Sequence, residues 1–280
     1  QDPGAAGVLV VCLGTATRLA RFLLEDDKEY RVEISFGRST SSGDSFGEIT
    51  GESDASFLNE ETVRSVLPSF TGEISQVPPM TSALKHKGKK LYQLARAGLE
   101  VDRPARTVNI YSLEFIRGTG WGGPSPRALL HLHCSKGTYV RSLCADLGSS
   151  LGCGAHMSFL VRTRAGSFQI EGSMTLEELM ESSADGKLQK NIITVEEALS
   201  SLPPVTVKNG AVQAVLSGSR LYLPGVAGLP ENLSEGDLVR LAGPEGTLAL
   251  AETTLDPLDR ERYIFKPVCL LVKSGHFQPQ

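Results

Sequence analysis

Long apolar runs are missing from this chain. The longest, Val8 to Leu13, has six residues, whereas crossing a bilayer takes about 20. No basic segment precedes it, as a signal peptide would require, and a cytoplasmic protein is expected. Cysteine is sparse and scattered: Cys12, Cys134, Cys144, Cys153 and Cys269 form no Cys-x-x-Cys pair. That pattern suggests neither a disulfide framework nor a zinc site, and predicts buried thiols. A large positive charge is also lacking. The formal net charge of −4 argues against a protein that coats nucleic acid indiscriminately.

What is present is an ordinary globular composition. With 280 residues and 40% apolar content, the chain can bury at least one full core, as one large domain or two smaller ones. Its charge is unevenly placed. Between Lys85 and Arg106 stand seven Lys or Arg (85, 87, 89, 90, 96, 103 and 106) against Glu100 and Asp102, a local balance of +5. A basic stretch on an acidic protein suits one polyanionic partner at one place, because phosphate contacts dominate nucleic-acid affinity. A solvated charged loop is the plainer reading of the same stretch.

Periodicity gives the elements. "GVLVVCLG" reads as a buried strand and "TATRLARFLLEDD" as a helix; in "KEYRVEISFG" the alternation puts Tyr30, Val32, Ile34 and Phe36 on one face of a strand. A polar Gly-rich loop, "STSSGDSFGEITGESDAS", precedes a short helix ending at Pro68, and a Pro-interrupted insertion follows with a helix around Leu91 to Ala97. "TVNIYSLEFI" and "ALLHLHCS" predict two strands around a Gly/Pro-rich loop holding Trp121. "GTYVRSLCADLGSSLG" predicts a helix bearing Val140, Leu143, Cys144 and Leu147, and "HMSFLVRTRAGSFQI" another strand. Two short helices lead to Pro203 and Pro204, where rigid backbone suggests a boundary. Residues 203–280 read as a small β-rich domain.

Three features invite a chemical reading. Asp2 precedes Pro3, which favours extended geometry at Asp2, although Asp-Pro-Gly is most often a plain turn. Arg141 falls in the first turn of its helix, where the macrodipole favours anions, so an anionic partner is sought. Tyr30 shares a face with apolar neighbours, which also suits a core tyrosine. His131 and His133 share a strand face, but no third ligand has metal-site spacing, and a structural pair is expected. His156 is read as a packing or hydrogen-bonding residue. Trp121 is read as solvent-facing or loosely packed, or as an RNA-stacking ring.

Four segments in order, "DPGAAGVLVVCLGTATRL", "DKEYRV", "VPPMTSALKHKGKKLYQLARAG" and "CSKGTYVRSLCADLGSSLGCGAH", resemble the bacterial TruB family of tRNA pseudouridine synthases. The similarity runs from Asp2 to about Phe168, and the tail is compatible with the family's PUA-like RNA-binding domain. "SKGTY" leans toward the bacterial enzymes rather than the guide-RNA-directed archaeal and eukaryotic relatives.

The resemblance implies an α+β fold: a mixed, largely antiparallel central sheet flanked by helices over residues 1–202, with a thumb-like insertion at about 76–106 and a PUA-like domain over 203–280. It implies an isomerase that converts a T-loop uridine of tRNA (position 55 in the family) to pseudouridine. In that reaction C1′–N1 is cleaved, the base turns, and C1′–C5 forms.

Site residues follow from the same resemblance. Asp2 matches the catalytic aspartate, Tyr30 the tyrosine that stacks on the base, and Arg141 the arginine paired with the aspartate. Leu160 lines the base pocket, and Arg162, Lys85, Lys87, Lys89 and Lys90 contact the substrate. No metal or other cofactor is demanded. The partner implied is the tRNA T-arm, with no protein partner and no membrane, and a monomer is expected.

The match has two departures. Family members carry a further segment upstream of the aspartate, with "GxTS"-type and "GHTGTLDP"-type motifs, whereas here only "QDP" stands, with Gln1 where Leu is usual. A fragment of a longer gene product is therefore expected. Ser41 occupies the first acid position of a "TDTxD"-like pattern, while Asp44 retains the second. These departures motivate the alternative of a catalytically impaired tRNA-binding or folding module.

Overall fold

The computed structural model describes residues 4–259 and 262–272. The central sheet takes its strands from β1 (Ala6–Gly7), β2 (Lys28–Phe36), β5 (Gly72–Gln76), β8 (Arg106–Thr119), β9 (Arg127–Cys134), β10 (Ala155–Ala165) and β11 (Phe168–Gln169). Two small ribbons, β3 (Arg38–Thr40) with β4 (Ile49–Glu52) and β6 (Lys85–His86) with β7 (Lys89–Lys90), stand apart from it. The spatial order is β1-β10-β2-β9-β8-β5, with β11 pairing back on β10. The β1–β10 pair is parallel and the others are antiparallel.

Alternation decides which face is the core. Val32, Ile34 and Phe36 of β2, Leu130 and Leu132 of β9, and Met157 and Leu160 of β10 are buried with Val140, Leu143, Cys144 and Leu147 of the helix Val140–Ser150. That helix lies so close to the start of β10 that a Cβ on Gly148 would come 2.3 Å from the Ala155 nitrogen. Glycine there is a condition of the packing. Four of the cysteines are buried and Cys12 is partly so, as free thiols.

The run after Gly7 departs from its sequence expectation. Val8 is buried and its N–H donates to the Arg162 carbonyl at 2.8 Å, but Leu9, Val11 and Leu13 are exposed and the strand ends at Gly7. Apolar content alone cannot supply a ladder partner, and a run without one is not a strand. The helix expected after it is a 3-10 turn, Gly14–Leu19, running into Ala20–Leu23.

The chain divides into two units, one from the chain up to Val10 with Leu23–Ser173, the other from Val11–Phe22 with the chain from Met174 onward. The expected division at 202/203 thus falls inside the second unit. Its physical cause is plain: Leu199 is buried, Glu196 accepts the Thr247 N–H at 3.1 Å, and the Arg240 guanidinium donates to the Leu202 carbonyl at 3.2 Å.

The second unit is built on a five-stranded sheet of β12 (Pro204–Val207), β13 (Val226–Gly228), β14 (Leu238–Gly243), β15 (Gly246–Leu255) and β16 (Tyr263–Leu270), in the order β13-β12-β14-β15-β16. Val205, Val207, Val239, Leu241, Ala249 and Phe265 form its core with Val212, Val215 and Leu216 of a short helix. Among the described residues no helix is long and apolar enough to cross a membrane, and no group of three or more His, Cys, Asp or Glu could hold a metal ion.

Candidate active site

Arg141 projects from the first turn of the helix Val140–Ser150. The helix start is held from outside: the side-chain oxygen of buried Gln76 accepts the Tyr139 N–H at 3.0 Å, and the Ser142 hydroxyl donates to the Val77 carbonyl at 2.9 Å. The Arg141 guanidinium donates to the Ser42 carbonyl at 3.2 Å, to the Thr81 carbonyl at 3.3 Å and to the Thr81 hydroxyl. It also forms an ion pair with Asp44 at 3.4 Å, the two side chains being 11% and 8% exposed. A cation placed against the macrodipole is thereby neutralised by a buried acid and by backbone oxygens.

Asp44 is the buried partner of Arg141 that sequence reasoning underrated. Its carboxylate also accepts the Ser42 hydroxyl at 2.5 Å and the Phe46 N–H at 3.0 Å. The loop bearing it is bound to β10, with the Met157 N–H donating to the Gly43 carbonyl at 3.0 Å. Asp2, the expected partner of Arg141, lies outside the described residues. A Gly-flanked acid between two Ser is a signal for a turn; its burial comes from docking on β10, which local pattern does not encode.

Further along β10 sits a second group. Arg162 pairs in register directly across from Tyr30, and Leu160 across from Val32. Burial, and secondarily the neighbouring Cys134, push the Tyr30 phenol up to about 12, against the pull of the Arg162 charge and its hydrogen bond. Arg162 also turns back to the amino-terminal strand, its Nε donating to the Val8 carbonyl at 2.7 Å. Gly7, at φ +97, makes this approach possible, since a Cβ there would lie 2.2 Å from the Arg162 carbonyl oxygen. Arg162 thus ties β1 to Tyr30, and Leu160 is buried in the main core.

The basic insertion is a hairpin. Lys85 pairs with Lys90 and His86 with Lys89, and Lys87 and Gly88 both take positive φ (48 and 87), the backbone of a tight two-residue hairpin turn. Lys85, Lys87, Lys89 and Lys90 are all exposed. Leu91 and Leu94 of the following helix, Leu91–Arg96, are buried. Because Gln76, Val77 and Thr81 bond to Tyr139, Ser142 and Arg141, the base of this insertion is fastened to the helix that carries Arg141.

The paired histidines have acid partners. His131 meets Glu29 at 3.2 Å, His133 meets Asp27, and Arg164 bonds to both acids, at 2.9 Å to Asp27 and 2.7 Å to Glu29. Partial burial raises the two carboxyls, and the Arg164 and histidine contacts outweigh it, leaving both below their usual range. His156 bonds to the Arg38 carbonyl at 3.0 Å. Trp121 is neither solvent-facing nor loose: it stacks on Phe115 with centroids 6.4 Å apart and packs on the core.

Comparison with known proteins gives this geometry a family. Residues 1–140 match the model described as TruB family pseudouridylate synthase (N terminal domain), residues 141–200 the tRNA pseudouridylate synthase B C-terminal domain, and residues 203–259 the PUA domain. The chain is 66% identical over 274 residues to the tRNA pseudouridine synthase B of Pelotomaculum thermopropionicum, covering 98% of this chain and 87% of that protein. It is 49% identical over 217 residues to the protein of the same name from Symbiobacterium thermophilum, covering 78% of this chain and 70% of that one. Among solved structures it resembles a chain of "Crystal Structure of a Cbf5-Nop10-Gar1 Complex", with a TM-score of 0.74 and 29% identity over 100% of this chain and 77% of that chain. One model matches half of the sequence and one relative matches nearly all of it at high identity, so the chain belongs to the TruB family of pseudouridylate synthases.

Proposed function

We propose that this protein isomerises a T-loop uridine of tRNA (position 55) to pseudouridine. The observation that carries the reading is the buried Arg141 cation, held by Thr81 and by Asp44, whose loop is docked to β10, the strand that bears Leu160 and the Arg162 paired with Tyr30 of β2. Gly4 rests against Phe46, two residues from Asp44 in sequence and bonded to it through its N–H.

The chemistry asked of these residues is limited. C1′–N1 breaks, the uracil turns, and C1′–C5 forms; the proton lost from C5 is balanced by one gained at N1. Asp2 serves the sugar as an ionised carboxylate, its ordinary pKa being about 3.9, and Arg141 holds that charge in place. Tyr30, protonated at neutral pH, offers a stacking face. If its oxygen takes the C5 proton, its own hydroxyl proton passes on to water, so the ring ends as it began. Attack of Asp2 on C1′ and removal of the 2′ proton are both compatible with this arrangement.

Extruding the uridine costs a few kcal/mol of stacking and pairing, to be offset by contacts elsewhere. The exposed lysines 85, 87, 89 and 90 and the PUA domain are assigned that work, on the T-arm and the rest of the tRNA. A domain reading of 1–202 for catalysis and 203–280 for RNA binding, a monomer and a cytoplasmic setting complete the proposal. The alternative of an impaired binding module draws no support from the relatives, which carry the name of the synthase.

The test is direct. Incubation with unmodified tRNA tritiated at uracil C5 should release tritium, and Asp2→Asn should abolish release while leaving tRNA binding intact. Undiminished turnover by that variant removes Asp2 from the mechanism; absence of release by the unaltered protein removes the proposed activity.

A further inference from the structure

Phe46 is 82% exposed. A single exposed aromatic ring is ordinary on a mobile loop; this ring is on a fastened one. Its N–H is held by the Asp44 carboxylate, the same group that pairs with Arg141. Upstream, the Thr40 hydroxyl donates to the Asp44 carbonyl at 2.7 Å; downstream, the Ser41 N–H donates to the Glu48 carbonyl at 2.9 Å and the Glu48 N–H to the Ser41 hydroxyl at 3.1 Å. Ser45 reaches across to the Ser158 carbonyl of β10 at 3.2 Å. Behind the ring lies Gly4, so near that a Cβ there would meet a ring carbon at 2.4 Å. The described residues therefore leave a π surface uncovered, held in a fixed place, one residue from Ser45 and two from the acid of the candidate active site.

We propose that Phe46 is a stacking platform for a nucleobase adjacent in the RNA to the reacting uridine. The inference rests on the RNA-modifying reading and deepens it by assigning a specificity contact. Flipping one nucleotide leaves the neighbouring bases without a stacking partner on one side. Unstacked RNA bases are received on aromatic side chains, and a pre-placed ring does so without an ordering cost. The contact tolerates any base, because every base has a π face. It acts in binding and leaves the bond-making steps to other groups.

The test uses the full chain with Phe46→Ala, Phe46→Leu and Phe46→Trp, assayed for tritium release from a T-arm hairpin labelled at uracil C5. The expected result is a KM raised about 5- to 150-fold by Phe46→Ala, a rise of at least about fivefold with Phe46→Leu, and a KM at or below the original with Phe46→Trp. The rate at saturating RNA stays within about twofold throughout. Phe46→Leu keeps apolar bulk against Gly4, so its effect separates stacking from packing, and thermal unfolding of each variant confirms that the fold is kept. A KM unchanged by Phe46→Ala, or restored by Phe46→Leu, overturns the proposal. A second readout is independent of turnover: binding of the hairpin should quench the added indole of F46W beyond any change in Trp121 of the unaltered protein, and absence of that quenching overturns the proposal. Should the unaltered protein release no tritium, the proposed activity fails while the quenching still decides the platform.

Discussion

Arg141 and Asp44 show how a single buried ion pair can hold a loop against a helix. Each side chain is about nine-tenths buried, so removing one partner leaves a charge with poor solvation. Asp44 also accepts from Ser42 and Phe46, and these bonds fix the loop that closes over the Arg141 helix. Replacing it by Asn keeps the shape and removes the charge. The expected cost is about 1.5–3 kcal/mol, the worth of hydrogen bonds to a charged group, read as a lower urea midpoint with an unchanged m-value. A midpoint equal to that of the original protein would mean that the pair contributes nothing to folding. Strand alternation singles out Tyr30 and a helix start singles out Arg141, but any site role for them comes from the family resemblance alone. Asp44 is named there only as an acid of a motif, and its burial is hidden, because it depends on a loop docking onto a strand more than a hundred residues later, which no local period records.

At the scale of elements, the basic hairpin is the most instructive. Its charge was visible in composition, and in its turn Lys87 and Gly88 supply the left-handed backbone. Its attachment was hidden: Gln76, Val77 and Thr81 fasten its base to the Arg141 helix through bonds that span some sixty residues. If the four lysines meet phosphates, each neutralised phosphate releases counterions, and tRNA affinity falls with salt by a log–log slope of about 0.9 per contact. Replacing Lys85, Lys87, Lys89 and Lys90 together by Ala should therefore flatten that slope by up to about 3–4. Filter binding over a range of salt concentrations measures it, and an unaltered slope would place the RNA elsewhere. The opposite lesson comes from Val8 to Leu13. Hydrophobicity predicted a buried strand there, yet only Val8 is buried and Leu9, Val11 and Leu13 face solvent. A strand is specified by its neighbours as much as by its own residues.

At the scale of the whole molecule, the second unit recruits a segment from the far end of the chain. Val11–Phe22 groups with the residues from Met174 onward, and the reason lies at the edge of a sheet. Among the described residues strand β16 ends the order β13-β12-β14-β15-β16, and on its outer side Phe265 is bridged to Leu221, leaving the Val268 and Leu270 carbonyls to other groups. Arg18 donates to the Leu270 carbonyl at 2.8 Å and Arg21 to the Val268 carbonyl, while the Cys269 thiol lies 3.6 Å from the Arg18 carbonyl. Two cations thereby cover an edge that would otherwise invite pairing with another chain. Replacing both arginines by Ala removes two exposed hydrogen bonds, each worth about 0.5–1.5 kcal/mol. The loss should be local: amide exchange in β15 and β16 should quicken, while exchange in β2, β9 and β10, whose core does not include these residues, should not change. A uniform loss of protection across both sheets would show instead that the two units unfold as one, and that the amino-terminal segment acts through global stability rather than by shielding β16.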